Sequence, residues 1–311
     1  MLKVKEGELM TLVNKGSVKD IYGTEKIDEI EFEFTDRISV FDKPTPNLIP
    51  KKGESICRMA TFWLKKAEEM GIHTHFIKQV SDARIRIKRV NVIKDYDRIN
   101  KHTKKYLIPL EFICRHYIAG SLYDRIKEGK IDYKKLGFKS MPEYGERLHE
   151  PFFDLSTKVE KFDRIISEKE ALSISSLEKN QLEEIFECIL RLDKEIKRRV
   201  ERGGLIHVDG KKEFAFDSDR NLMLVDVFGT ADEDRFWDME KYEEGECIEL
   251  SKEFVRQIYR RNGYKDSLYQ SREKGYPEPK IPSLSNDDIK KISNIYINLA
   301  QRITGGKGLN L

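Results

Sequence analysis

The chain has 311 residues, 39% of them hydrophobic and 36% charged, with 58 Lys and Arg against 55 Asp and Glu. That length suits two closely packed domains with a sizeable core, and the even charge balance argues against nucleic acid or an anionic membrane as the main partner. No stretch approaches 18 uncharged apolar residues, the start MLKVKEGELM has no apolar signal region, and Cys57, Cys114, Cys188 and Cys247 are too dispersed for a zinc or disulfide framework; the expectation is free thiols, no membrane span, no secretory signal and a cytoplasmic setting.

In chain order, the first hundred residues read as strands. NKGSVKDIYG (14–23) places Gly16 between basic residues at the entry to a strand. Backbone N–H groups at such a turn can cradle phosphate with Lys19 as a charge clamp, and a plain surface hairpin fits the same letters. No G-x-x-x-x-G-K-[ST] loop occurs. In DEIEFEFTD, Ile30, Phe32 and Phe34 alternate with Glu29, Glu31 and Glu33, the period of a half-buried strand. Residues 54–70 read as an amphipathic helix stopped by Gly71. His73 and His75 share a strand face without a third ligand, so no metal site is expected there. ARIRIKRV is a further strand, and 94–106 reads as a polar loop.

PLEFICRHYIAGS (109–121) puts Glu111, Ile113, Arg115 and Tyr117 on one strand face. Ser121 then opens SLYDRIKEG, either as a helix cap or as part of an anion site with Arg115. LEKNQLEEIFECILRLDKEIKRRVERGG is a long helix with Leu182, Ile185, Ile189, Leu192, Ile196 and Val200 in one stripe, ended by Gly203-Gly204. A hairpin follows at 205–228, and Arg235 comes just after it, as an anion ligand or an ion-pair partner. Two helices close the chain, SKEFVRQIYRR and SNDDIKKISNIYINLAQRI, the second capped by Ser285 with Asp288 three residues on; GGKG (305–308) reads as a tail. The domain boundary is expected near residue 108, giving 1–108 and 109–311.

The hairpin carries the strongest chemical signal. Asp209, Lys211 and Glu213 alternate along LIHVDGKKEFAFD, with Val208, Phe214 and Phe216 expected on the opposite face, and Asp226 interrupts LMLVDVF. A four-residue turn at 217–220 pairs Phe216 with Asn221, and any even-length turn brings Leu224 and Asp226 to the face of Lys211 and Glu213. Carboxylates converging with one ammonium suit Mg²⁺-bound polyphosphate; a solvated face with a cross-strand salt bridge fits the same pattern.

Taken together, the blocks KGSVKDIY, FTDRISVFD, NLIPKKGE, IPLEFICRHYIAGS, EPFFDLSTKVE, GLIHVDGKKEFAFD, LVDVFGTADEDRFWD and SKEFVRQIY closely resemble the SAICAR synthetase family in order and spacing. The resemblance implies an α+β, two-lobed fold: a kinase-like N-terminal lobe of antiparallel sheet and a larger ATP-grasp-like α/β lobe, with ATP in the cleft. It implies an ATP-dependent ligase of purine biosynthesis that joins carboxyaminoimidazole ribonucleotide (CAIR) and L-aspartate, giving the succinocarboxamide SAICAR, ADP and phosphate. By the same resemblance Glu213 and Asp226 match Mg²⁺ ligands and Lys211 a lysine beside the nucleotide. Gly16 and Lys19 match the phosphate-covering turn, with Lys15 and Ser17 in it. Arg115, Ser121 and Arg235 match the groups around the ribonucleotide 5′-phosphate. Asp36, Arg37, Ser39 and Asp42 match a loop near the substrates, and Lys158 and Asp163 a second such segment. Relatives often carry Lys where this chain has Ser17 and Glu where it has Val227. The oligomeric state is left open, a homodimer included. A small-molecule kinase would use the same Mg²⁺–ATP face, and a nucleic-acid-binding protein built on ARIRIKRV would show strongly salt-dependent binding.

Overall fold

The computed structural model describes residues 11–306, so the opening decapeptide and the end of the GGKG segment lie outside it. The chain forms two compact units. One comprises residues up to Lys65, His75–Arg89 and everything from Lys252 onward; the other comprises Lys66–Thr74 and Val90–Ser251. The division is therefore not the single cut expected near residue 108. The helices after residue 251 count with the N-terminal strands, because their apolar faces need a surface to cover and chain order does not dictate which.

The first unit opens with β1 (Leu12–Lys15), β2 (Lys19–Gly23) and β3 (Glu29–Phe34), then a separate hairpin of β4 (Arg37–Val40) and β5 (Lys43–Leu48). Helix α1 (Lys52–Glu69) follows, then β6 (Phe76–Ser81) and β7 (Arg84–Lys88). The five-stranded sheet runs β1-β2-β3-β7-β6, antiparallel throughout. The alternation in β3 is only partly realised: Phe32 and Phe34 are buried and Ile30 half-buried, while Glu31, itself buried, and Glu33 meet Arg86 and Arg84 across the β3–β7 ladder.

The second unit holds β8 (Tyr106–Leu107), β9 (Leu110–Tyr117), α2 (Gly120–Lys127), β10 (Arg147–Thr157), β11 (Ile165–Ile166), α3 (Glu168–Ser175), α4 (Lys179–Glu201), β12 (Leu205–Phe216), β13 (Leu222–Val225), β14 (Asp234–Asp238) and α5 (Met239–Glu243). Its seven-stranded sheet is organised by β12, whose first half pairs with β14 and β9 and whose second half pairs with β13 and β8. Helix α4 buries the expected stripe, Leu182 through Val200, and one residue the apolar period does not announce, Asp193. Each fully buried aliphatic side chain contributes about 1.5–3 kcal/mol as an upper estimate.

Helices α6 (Lys252–Arg261), α7 (Tyr264–Lys274) and α8 (Asn286–Thr304) complete the first unit. Ser285 caps α8 as expected, accepting from Asp288 N–H at 3.1 Å. The sequence pattern does not reveal α3 or α7. Residues 94–106 are more structured than a loop: they contain a short 3₁₀ turn at Tyr96–Arg98 and end at the fully buried Tyr106. In the β4–β5 turn, Phe41 and Asp42 both adopt left-handed backbone, φ 51° and 62°. Arg272 on α7 donates to the Phe41 carbonyl there at 3.1 Å.

Two register facts correct the parity argument. Glu213 pairs with Val225 and Phe214 with Leu224, so the hairpin turn is odd, not even. Asp217 closes it: its N–H donates to Asn221 O, its carboxylate accepts from Asp219 and Asn221 N–H, and Arg220 sits at φ 65°. This is the three-residue hairpin turn with a left-handed last residue. Leu224 accordingly shares a face with Phe214, not with Glu213. The second fact is a register shift in β12 between His207 and Asp209. It leaves Val208 clustered with Ile206 and Trp237, and it turns His207 to the same side as Gly210 and Lys212, where all three meet Asp234.

Candidate active site

On one face of the large sheet, β9, β10 and β12 bring charged side chains together. Lys211 Nζ lies 2.6 Å from Glu111 and 3.1 Å from Glu233. Lys158 Nζ lies 2.9 Å from Glu111 and 2.7 Å from Glu213. Asp226 acts on both Glu213 and Lys158 through its charge. Asp226 follows the last residue of β13 and has left-handed backbone, φ 57°. Strand alternation therefore does not set its direction, and it reaches the Glu213 face although the register is the opposite of the one expected.

Among these six side chains four carboxylates face two ammonium groups, and the imbalance falls unevenly. Burial pushes Glu111 up, but Lys211 and Lys158 outweigh it and hold its carboxyl down at about 2. Burial also pushes Glu213 up, Lys158 opposes, Asp226 adds to the rise, and the carboxyl is held at about 7. Lys158 is held well above the usual lysine range by Glu213, Glu111 and Asp226, against its own burial. The donors are all hard oxygens, and within this group the cluster is two positive charges short. A divalent cation such as Mg²⁺ fits that set on both counts.

A second cluster stands beside the first on the same strands. Arg115 donates to Asp154 at 2.8 Å, to Asp209 at 3.3 Å and to Ser121 Oγ at 3.1 Å. Arg235 also bonds Asp209, and its guanidinium lies against Gly120, at the N-terminus of α2. A Cβ at Gly120 would come 2.6 Å from that guanidinium, and its φ of 53° favours glycine independently. Arg125 bonds Asp154 as well. Of the two readings of Ser121, the cap is not realised: α2 begins at Gly120 with Ala119 before it, and the Ser121 hydroxyl accepts from Arg115. Arg235 also lies 3.5 Å from Glu249, so three guanidinium groups meet three carboxylates here, and with the N-terminus of α2 they form a donor-rich corner suited to a phosphate monoester.

The remaining expected residues belong to the first unit, apart from Asp163 in the second. Lys15 and Ser17 are exposed in the β1–β2 turn, where Gly16 N–H donates to Lys19 O. A Cβ on Gly16 would collide with that carbonyl. Lys19 Nζ sits 4.0 Å above the Phe32 ring. Arg37 braces this turn, bonding Asp20 at 2.5 Å and the Gly16 carbonyl at 2.9 Å. Asp36 accepts from Gly53 N–H in the first turn of α1, a capping contact. Ser39 is buried in β4, Asp42 is exposed at the strained turn, and Asp163 is exposed in the loop after β10. Sequence reasoning gave no role to Glu111, Glu233, Asp209 or Asp154. Glu111 and Arg115 were legible as same-face charges in β9; Glu233 and Asp154 carried no such signal.

On the other face, Lys212 Nζ is fully buried, 2.5 Å from Asp193 and 3.4 Å from Asp234. Cys114, His116 and Asp193 approach each other as metal ligands would, but Lys212 already supplies the cation and burial holds the Cys114 thiol protonated.

Fold and clusters define an enzyme that handles phosphate: an arginine-rich anion site beside carboxylates arranged for a cation. A family model described as SAICAR synthetase matches residues 12–271. A phosphoribosylaminoimidazole-succinocarboxamide synthase of Thermoplasma volcanium is 48% identical over 298 residues, 96% of this chain and 100% of that one. Among solved structures, a SAICAR synthase from Saccharomyces cerevisiae complexed with SAICAR is similar at TM-score 0.72 and 25% identity, covering 99% of each chain. A type-2 SAICAR synthetase in complex with ADP is similar at TM-score 0.68 and 23% identity, covering 96% of this chain and 99% of that one. The chain belongs to the SAICAR synthetase family. It is an ATP-dependent ligase of purine biosynthesis, of the kind that joins CAIR and aspartate to give SAICAR. Among the described residues no helix is long and apolar enough to cross a membrane.

Proposed function

We propose that the two clusters divide the work of this ligation. Arg115, Ser121 and Arg235 hold the 5′-phosphate of CAIR, supported by the gathering of two guanidinium groups and a hydroxyl at the start of α2. Glu213 and Asp226 hold the Mg²⁺ that accompanies ATP, supported by the two-charge shortfall around Glu213. Bound there, Mg²⁺ neutralises polyphosphate oxygens and polarises the group being transferred.

Lys211 and Lys158 contribute mobile positive charge. Each is tied to carboxylates that the cation would relieve, so each ammonium can turn to phosphate oxygens when nucleotide binds. Gly16, Ser17, Lys15 and Lys19 are assigned to ATP phosphates, and Asp36, Arg37, Ser39 and Asp163 to the neighbourhood of the substrates, by family resemblance. A carboxylate resists attack by an amine because its charge repels the nucleophile and its leaving group is oxide. Attack of a CAIR carboxylate oxygen on the γ-phosphorus releases ADP and gives an acyl phosphate. The aspartate amine then attacks the acyl carbon, phosphate leaves with that oxygen, and the amine proton passes to the departing phosphate.

The observation that carries this reading is the convergence on Glu213, a carboxyl 2.7 Å from Lys158 that burial, with the Asp226 charge, pushes up to about 7. The test is isotopic. With ¹⁸O in the CAIR carboxylate, one labelled oxygen should appear in inorganic phosphate for each SAICAR formed; unlabelled phosphate would refute the acyl phosphate. A cytoplasmic setting, supported by the four free cysteines, belongs to the same proposal, and so does a homodimer, which light scattering would test.

A further inference from the structure

We infer that the far face of β12 holds a second anion site, for inorganic phosphate, in a cavity of about 80 Å³ between the β9–β10 strands and the last turns of α4. Its lining includes His116, Arg147, His149, Lys197 and His207. Nothing in the ligation assigned above uses these groups. His207 and Lys212 share one side of β12, and the bulge beside Asp209 separates that side from the Arg115–Arg235 cluster.

Three observations point to an oxyanion. The first is charge: Arg147 and Lys197 flank the cavity, and Glu201 is the one carboxylate in its lining. Lys197 stands 3.7 Å from Glu201, whereas the Arg147 guanidinium has no ion pair or hydrogen bond among the described residues. The second is an orphaned atom. The His207 side chain is completely buried, its Nε2 lies 2.7 Å from Asp234, and its Nδ1 has no hydrogen-bond partner. A buried polar atom without a partner costs roughly 1–3 kcal/mol, which a ligand or water in the cavity would relieve. The third is size. About 80 Å³ holds several waters or one small oxyanion, not a nucleotide.

The His207 ring selects among oxyanions. Next to an ionised Asp234, Nε2 must be the donor, so a neutral ring presents Nδ1 as an acceptor and a protonated ring presents it as a donor. Hydrogen phosphate carries both a P–OH and free oxygens and satisfies either form; fully ionised sulfate satisfies only the protonated one. The groups facing His207 are Asp234 on β14, Lys212 on its own strand, His116 on β9, Arg147 and His149 on β10, and Asp193, Lys197 and Glu201 on α4. Asp234 also accepts from Gly229 N–H at 2.7 Å, three residues after Asp226. His207 therefore sits two hydrogen bonds from the Asp226 loop, and a ligand on its Nδ1 three.

The test is a titration of the full chain with inorganic phosphate, read on histidine ring resonances. The His207 and His149 signals should shift saturably. Arg147→Gln and Lys197→Gln, both at exposed positions, should each weaken that response about tenfold, as loss of a charged hydrogen-bond partner does. Ser121→Ala, in the other anion cluster, should leave it unchanged. Ribose 5-phosphate separates an inorganic ion from a phosphomonoester and should produce no shift at His207. Shifts with ribose 5-phosphate but not with inorganic phosphate would overturn the assignment, and so would a response that does not saturate or is equal in Arg147→Gln.

Discussion

Asp226 reaches Glu213 from just beyond the strand that pairs with it: Glu213 lies opposite Val225, and the left-handed backbone at Asp226 turns the chain at that point. The electrostatic consequence is a carboxyl at Glu213 that burial and Asp226 together hold at about 7.

Glu213→Gln tests that consequence through stability. Below pH 4.5 folded and unfolded chains both keep the proton and Glu213 contributes nothing. Between about 4.5 and 7 the unfolded chain ionises first, so stability falls as pH rises, and above 7 the full penalty is present. In metal-free protein Glu213→Gln should therefore be more stable than wild type at pH 8, by up to about 3 kcal/mol, with the difference gone at pH 4. Urea unfolding in the presence of a chelator reads this directly. Turnover of the same variant should fall at least about a hundredfold.

Asp226→Asn keeps a side chain that tolerates left-handed backbone and removes only the charge. The Glu213 titration should then move down from about 7 toward the ordinary carboxylate range. Carbon NMR of the labelled carboxyl measures it, and an unmoved titration would mean burial alone sets the value.

Ser121→Ala removes one hydroxyl that accepts from Arg115 and leaves the guanidinium paired with Asp154 and Asp209. The KM for CAIR should rise about tenfold while the KM for ATP stays put. Equal changes in both would place Ser121 outside the ribonucleotide site.

Asp193→Asn strips the closest partner from the fully buried Lys212. The expected cost at pH 7 is about 3–5 kcal/mol, as for other broken buried ion pairs. Lys212, His207 and His116 hold the Asp193 carboxyl below the usual carboxylate range against its burial, so the contribution is complete above pH 3.8 and is lost as pH falls through the lower folded value. Denaturation midpoints of wild type and variant should converge only at strongly acid pH.

Which of these features could be read from the sequence follows from what fixes each one. The α4 stripe was legible because a 3.6-residue apolar period admits one burial pattern, and β12 was legible because Asp209, Lys211 and Glu213 alternate between its apolar ends. The hairpin register was not. It depends on one residue of turn length, and the turn uses Arg220 in a left-handed conformation with Asp217 as its hydrogen-bond anchor. No Gly or Asn marks the left-handed position, so composition gives no warning. The same holds for the bulge that reverses His207, which contains no glycine. Nothing in the sequence marks Lys212, Asp193 or Asp234 as buried, because burial of a charge is decided by a partner distant in sequence. Glu213 and Asp226 do share a face, as the sequence reading expected, but one step of the geometry that joined them was mistaken and the left-handed backbone at Asp226 made up the difference.

ATP in this reaction is spent on coupling aspartate to CAIR, not on leaving a phosphorylated product. The most direct measurement supplies purified protein with ATP, Mg²⁺ and CAIR, with and without L-aspartate, and counts ADP and SAICAR together. One ADP for each SAICAR, with sustained turnover only when aspartate is present, is the predicted result. Sustained ADP release without aspartate, accompanied by a stable phosphorylated imidazole ribonucleotide, would contradict it.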